Sequence, residues 1–178
     1  PAEWKPIKGS LEAIARLTQA GFRVVVATNQ SGIGRGLFDM ATLNAIHDAM
    51  HRAVHQAGGR IDAIFFCPHR DEDHCECRKP KPGMLHEIAR RLNVDLEGVP
   101  VVGDALRDLQ AAAAAGAKPV LVLTGSLGAA RDQQPRLRTP GVVKEARCTQ
   151  RNHGEQARGE FGAALTARAA RDDGDLGV

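Results

Sequence analysis

The chain has 178 residues, 43% of them hydrophobic and 25% charged, with a net charge of +3 and a pI of about 8.9. This suffices for one globular domain with its own core, is too balanced for a nucleic-acid footprint, and holds no apolar run of membrane-spanning length. Aromatic residues are only 3%, with no Tyr and one Trp, so the core falls to Val, Leu, Ile and Ala and little is left for stacking bases.

In chain order, residues 10–17 place apolar side chains at helical spacing, with Ser10 as N-cap and Gly21 as the stop. The run Phe22–Ala27 reads as a strand buried on both faces, leading into the glycine-rich loop Thr28-Asn29-Gln30-Ser31-Gly32-Ile33-Gly34-Arg35-Gly36. A second helix carries Leu43, Ile46, Met50 and Val54 on one face and breaks at Gly58-Gly59. Residues 61–66 form the next strand. Pro82-Gly83 opens a third helix with Met84, Leu85, Ile88 and Leu92 inward. Val99–Val102 is a third strand ending at Gly103-Asp104. An Ala-rich helix runs to Ala115, and Lys118–Leu123 is a fourth strand. Strands alternating with helices predict an α/β fold, a Rossmann-like parallel sheet with helices on both faces. In such sheets ligands bind beyond the carboxyl ends of the strands, here Thr28-Asn29, Cys67–His69, Asp104 and Thr124-Gly125.

The densest chemistry lies between Cys67 and Gly83, CPHRDEDHCECRKPKPG. Cys67, His69, Cys75 and Cys77 supply one nitrogen and three sulfurs within eleven residues, a full tetrahedral set for structural zinc rather than scattered reduced thiols. His74 competes for the nitrogen position; Cys148 is a bystander. No basic start followed by an apolar stretch marks a secretory signal, so the expected compartment is cytoplasmic, where clustered cysteines bind metal rather than pair. Lys79, flanked by Arg78 and Pro80, can aim an ammonium at a phosphoryl oxygen or sit on a solvated basic turn. Thr28 and Asn29 with the small residues behind them can donate to a phosphate or form an ordinary connection. Asp104, with Asp108 four residues on, suits a hard cation such as Mg²⁺ or a helix N-cap. His47, His51 and His55 lie beside an apolar helix face and are read as boundary residues without function.

Taken together, Thr28–Gly32 with Arg35-Gly36, Cys67-Pro68-His69, Cys75-x-Cys77-Arg78-Lys79-Pro80-x-Pro82-Gly83-Met84 and Val102-Gly103-Asp104-x-x-x-Asp108 resemble the haloacid dehalogenase superfamily of phosphatases. Within it, the zinc-loop branch that contains the heptose bisphosphate phosphatases is the nearest match, with histidinol-phosphate phosphatases as relatives. The resemblance covers residues 1–125. It implies a Mg²⁺-dependent phosphatase of sugar bisphosphates, acting through an aspartyl-phosphate in the heptose branch of lipopolysaccharide precursor synthesis. It implies that Thr28, Asn29 and Gln30 bind the phosphoryl group, that Lys79 stabilises its charge, and that Arg35 and Arg78 contact the substrate. Asp104 would ligate Mg²⁺ with Asp108 in support, and the zinc would be structural, stiffening the loop that presents Arg78 and Lys79. The expected partner is a small phosphorylated sugar, with no nucleic acid and no membrane, and the expected state is a monomer.

Two departures follow. The family's D-x-D-G-T/V motif, which supplies nucleophile and acid/base, is absent, and no aspartate precedes Thr28. The chain is therefore expected to lack the family's first, central strand, to leave its neighbours' backbone unpaired, and to be inactive as given. Residues 126–178 keep no apolar period apart from a weak helical patch at Phe161–Leu165, and are expected to be a low-complexity or disordered tail, from a genuine extension or a shifted reading frame. The alternative function is a non-catalytic zinc-loop module that binds phosphorylated ligands.

Overall fold

A computed structural model describes residues 4–123 and 164–168. Thr124, Gly125, Cys148 and all of the expected tail except 164–168 lie outside them. The order is α1 (Ser10–Gln19), β1 (Phe22–Asn29), α2 (Ser31–Gly34), α3 (Met40–Gln56), β2 (Ala63–Cys67), a 3₁₀ turn (Asp71–Asp73), α4 (Gly83–Leu92), β3 (Pro100–Gly103), α5 (Leu106–Ala114), β4 (Lys118–Leu121) and β5 (Ala164–Arg168).

The helices form where apolar spacing places them, and their ends show local chemistry. α1 begins at Ser10 rather than after it: Gly9 precedes the helix at φ 84°, and the Ser10 hydroxyl donates back to the Ile7 carbonyl at 2.6 Å. The expected serine cap is thus corrected, because the left-handed turn at Gly9 already sets the entry angle. α3 has a true cap that the sequence reading missed, Asp39, whose carboxylate accepts from Thr42 N–H at 2.8 Å.

The sheet order is β2-β1-β5-β3-β4. β1 and β2 are parallel, with Thr28 opposite Phe66 and Asn29 opposite Cys67. β3 and β4 are parallel as well. β1 is covered on both sides, as its unbroken Val run requires. Val25 and Ala27 join the core under α4 and α5 with Met84, Leu85, Ile88, Val101, Ala111 and Ala112. Val26 joins the opposite core with Met50, Val54 and Ile61, backed by Trp4, Leu11 and Ile14.

The centre of the sheet departs from expectation. β5 lies between β1 and β3 and runs antiparallel to both, with Val25 opposite Leu165 and Val102 opposite Ala164. Residues 164 and 165, expected in a helical patch, are strand, and β1 and β3 do not stand open. Two buried strand edges carry rows of unpaired N–H and C=O groups, and any extended segment that satisfies them is stabilised there.

Candidate active site and metal centre

The carboxyl ends of β1, β2 and β3 carry the candidate residues, and backbone hydrogen bonds tie their loops together. Gln30 N–H donates to the Cys67 carbonyl at 2.7 Å, and Gly34 N–H donates to that of Pro68 at 3.1 Å. The Gln30 side chain donates to the Thr28 hydroxyl at 3.1 Å. The two backbone bonds thus tie the loop after β1 to the loop after β2.

Four sulfur and nitrogen donors gather at the end of β2. Sγ of Cys67, Cys75 and Cys77 are 3.3 to 3.6 Å apart, and Nδ1 of His69 lies 3.5 Å from Cys67 Sγ and 3.3 Å from Cys77 Sγ. A tetrahedron with Zn–S of ~2.3 Å and Zn–N of ~2.0 Å has edges of roughly 3.5–3.8 Å, so the donors fit a zinc ion closely. All three thiols are free. Without metal, burial and then hydrogen bonding to Cys77 push the Cys67 thiol up to about 12. His69, not His74, supplies the nitrogen: His74 sits at φ 46° and its carbonyl accepts from Lys81. His47 rests against the Phe66 ring. No second group of three or more His, Cys, Asp or Glu side chains suited to a metal occurs among the described residues.

From this centre the chain passes to Arg78 and Lys79, and the Lys79–Pro80 peptide is cis. Asn29 clamps Lys79 from both sides: its Oδ1 accepts Lys79 N–H at 3.1 Å, and its Nδ2 donates to the Lys79 carbonyl at 3.0 Å. The Lys79 ammonium turns inward, donating to the Ala27 carbonyl at 2.8 Å and lying 2.7 Å from Asp108 Oδ1. That last contact lacks hydrogen-bond alignment and is an ion pair by proximity. Thr28, Asn29, Lys79 and Asp108 are each at most 3% exposed, so the solvated-turn reading of Lys79 is excluded. Burial pulls the ammonium below the ordinary lysine value, and the Asp108 and Asp104 carboxylates oppose that shift.

Asp104 is not the cap of α5; that position is Ala105, whose N–H donates to Asp108 Oδ2 at 3.2 Å. Both oxygens of Asp108 thus have partners within the protein. Asp104 is half-buried beside this pair, and its charge acts on Lys79, while Asp108 holds the Lys79 ammonium. Gly103 makes this possible, since a Cβ there would come within 2.3 Å of Asp108 Cβ. Arg35 is exposed and Arg78 half-buried. The sequence reading gave Arg107 no role, yet its charge acts on both Lys79 and Asp71. Its position inside the Asp104-x-x-x-Asp108 spacing was the available signal.

A family model described as HAD-hydrolase-like matches residues 76–146. The D-glycero-β-D-manno-heptose-1,7-bisphosphate 7-phosphatase of Bordetella bronchiseptica is 68% identical over 126 residues, which cover 71% of this chain and 70% of that protein. The chain belongs to this family of HAD-like phosphatases. The Neisseria meningitidis serogroup A phosphatase of the same name is 58% identical over 123 residues, 69% of this chain and 66% of its own length. A crystal structure of D,D-heptose 1,7-bisphosphate phosphatase from B. bronchiseptica, complexed with magnesium and phosphate, superposes with a TM-score of 0.74 at 62% identity, covering 80% of this chain and 78% of that one. The heptose-bisphosphate phosphatase family thus accounts for the α/β sheet and the helices on its two faces. No helix among the described residues is long and apolar enough to cross a membrane.

Proposed function

We propose that the site binds the phosphoryl groups of a sugar bisphosphate, D-glycero-D-manno-heptose 1,7-bisphosphate by lineage, in the formation of lipopolysaccharide heptose precursors. The reading is supported by one juxtaposition: the Thr28–Asn29 end of β1, the Lys79 ammonium and the Asp104–Asp108 segment after β3 adjoin one another at one rim of the sheet. Thr28 and Gln30 provide hydroxyl and amide groups for phosphoryl oxygens. Asn29 fixes the Lys79 backbone, Asp108 fixes its ammonium, and Lys79 offers positive charge where negative charge accumulates. Magnesium, when bound at Asp104, supplies charge neutralisation between carboxylate and phosphate. Zinc at Cys67, His69, Cys75 and Cys77 holds the loop that carries Arg78 and Lys79.

No aspartate precedes Thr28, so the 178-residue chain by itself offers the phosphate no carboxylate nucleophile from the family's first motif. We expect it to bind phosphosugars without turning them over, which makes the phospholigand-binding reading the second one. Incubation with the heptose bisphosphate and Mg²⁺, following both inorganic phosphate release and binding by ³¹P NMR, separates the readings. Binding without release is expected. Magnesium-dependent release refutes inactivity, and absence of binding removes the lineage reading. Histidinol phosphate in the same assay tests the neighbouring substrate class.

A further inference from the structure

The histidines of α3, expected as boundary residues without function, are not equivalent in the structure. His47, His51 and His55 recur at every fourth position of a helix that runs from Met40 to Gln56. On such a helix residues i and i+4 are surface neighbours, with Cβ atoms about 5–6 Å apart. Two imidazoles at that spacing can share one ion. His47 is half-buried, and its ring meets that of Phe66 on β2 with centroids 6.0 Å apart. His51 and His55 are exposed.

His47–His51 and His51–His55 share the same spacing, and their surroundings separate them. The Phe66 contact already restricts the His47 ring. A metal held by His47 and His51 therefore orders one further side chain, whereas His51 and His55 would both have to be ordered. Charge favours the same pair. Asp48 lies one turn before His51, and Arg52 lies one turn before His55. Neighbours at that spacing share a helix face, so a cation on the first pair meets a carboxylate and one on the second meets a guanidinium. Burial, and then the charge of His51, pull the His47 imidazole below the ordinary histidine value, with Asp48 opposing. His47 is thus neutral at pH 7, the form that ligates. Imidazole donors suit Zn²⁺, Ni²⁺ or Cu²⁺ rather than Mg²⁺. The four donors at the end of β2 form a closed set, whereas two donors leave the other coordination positions to water.

We propose that His47 and His51 form a second, open metal site on α3, taking one divalent transition-metal ion separately from the four-donor centre. The ion clips two successive turns of the helix whose Leu43, Met50 and Val54 are buried and which backs Val26 of β1. It binds the folded helix in preference to the unfolded chain, and so stabilises α3 by mass action.

The test titrates the full chain, without an affinity tag, zinc-loaded and with Mg²⁺ in excess, with Ni²⁺ by calorimetry. Loss of a second, intramolecular contact sets the scale: His51→Gln weakens Ni²⁺ binding about a hundredfold, His47→Gln at least about tenfold, and His55→Gln less than about twofold. His51 is exposed, so His51→Gln leaves the His47–Phe66 contact and the fold in place. Hydrogen exchange supplies the second readout. With Ni²⁺ at a hundredfold excess over its dissociation constant, exchange across 44–55 slows by up to about a hundredfold in the wild type and stays unchanged in His51→Gln. Equal Ni²⁺ affinity in the wild type and His51→Gln overturns the proposal. So does a larger loss in His55→Gln than in His47→Gln, which assigns the ion to the other pair. Zinc released in step with Ni²⁺ uptake, or binding that leaves exchange across 44–55 unchanged, overturns it as well.

Discussion

The loop from Cys67 to Pro82 and the helix α4 that follows it adjoin in sequence but take their order from different sources. In α4, Met84, Leu85 and Ile88 are at most 3% exposed and pack under the sheet; burial orders it. In the loop, almost every side chain is polar, and residues 70–74 are all exposed. Its contacts are polar: the three sulfurs and one nitrogen at its base, the clamp of Asn29 on Lys79, and ion pairs such as Asp71–Arg78 and Glu76–Lys81. Gly83 joins the two regimes, because a Cβ there would press to 2.4 Å on the Glu76 carbonyl. An arm too polar to bury is held by hydrogen bonds and by whatever its four clustered donors bind, and the helix behind it anchors the result.

Metal removal breaks this comparison most sharply. Structural zinc in small peptide sites contributes an apparent ~10–16 kcal/mol of folding free energy. Chelation is expected to abolish amide protection across 68–82 while α4 keeps most of its own, read by hydrogen exchange. Zinc binding must displace the Cys67 proton, which the apo loop holds with a pKa of about 12. Binding therefore releases protons and weakens as pH falls, measurable by calorimetry in buffers of different ionisation enthalpy.

Next in size is the junction itself. Asp108→Ala leaves the Lys79 ammonium buried without its counter-charge and is expected to cost about 3–5 kcal/mol in urea unfolding. Joint replacement, Lys79→Met with Asp108→Leu, should recover most of that stability and lose phosphate binding. If the single and double variants are equally unstable, Asp108 is not the partner of Lys79. On the helix side, Ile88→Ala should lower stability by roughly 2–5 kcal/mol and leave zinc stoichiometry unchanged; a fall in bound zinc would mean that the two regions are not separable.

The smallest effect sharpens the contrast at the surface of α4. Glu87 is paired with Arg90 and Arg91, whose hydrogen bonds hold its carboxyl at about 2. A depressed folded pKa contributes stability that is present above the unfolded value near 4.5 and is lost as pH falls through about 2. Glu87→Gln should therefore lower stability slightly at pH 7, since exposed pairs contribute little, and the difference should vanish as pH falls from 4.5 through about 2, read by urea unfolding across that range.

The sequence made some of these features legible and hid others. The Val run of β1 and the gathering of Cys67, His69, Cys75 and Cys77 could be read because residue type and spacing alone determine burial and which donors can meet. The same held for Lys79 and Asp104 as neighbours at one rim, since strand ends in a parallel sheet share an edge. The cap at Asp39 was missed beside a glycine-rich loop that also suited a turn. Asp108 could not be assigned to Lys79 rather than to a cation, because that depends on a glycine at 103 admitting its side chain. Nor could the Asp71–Arg78 pair be seen, as it arises from the fold of the metal loop. β5 was hidden most completely: Ala-Leu-Thr-Ala-Arg carries no strong strand signal, and only the vacant edges of β1 and β3 give it a place.

That placement has a kinetic consequence. β1 and β2 are joined through residues 30–62 and β3 and β4 through residues 104–117, whereas β5 follows β4 only after residues 122–163 and then enters between the two pairs. Closing the longest loop in the sheet incurs its entropy before any hydrogen bond is made, and contacts of high sequence separation form slowly. The two parallel halves therefore assemble first, and the seam that unites them is the last to be sewn.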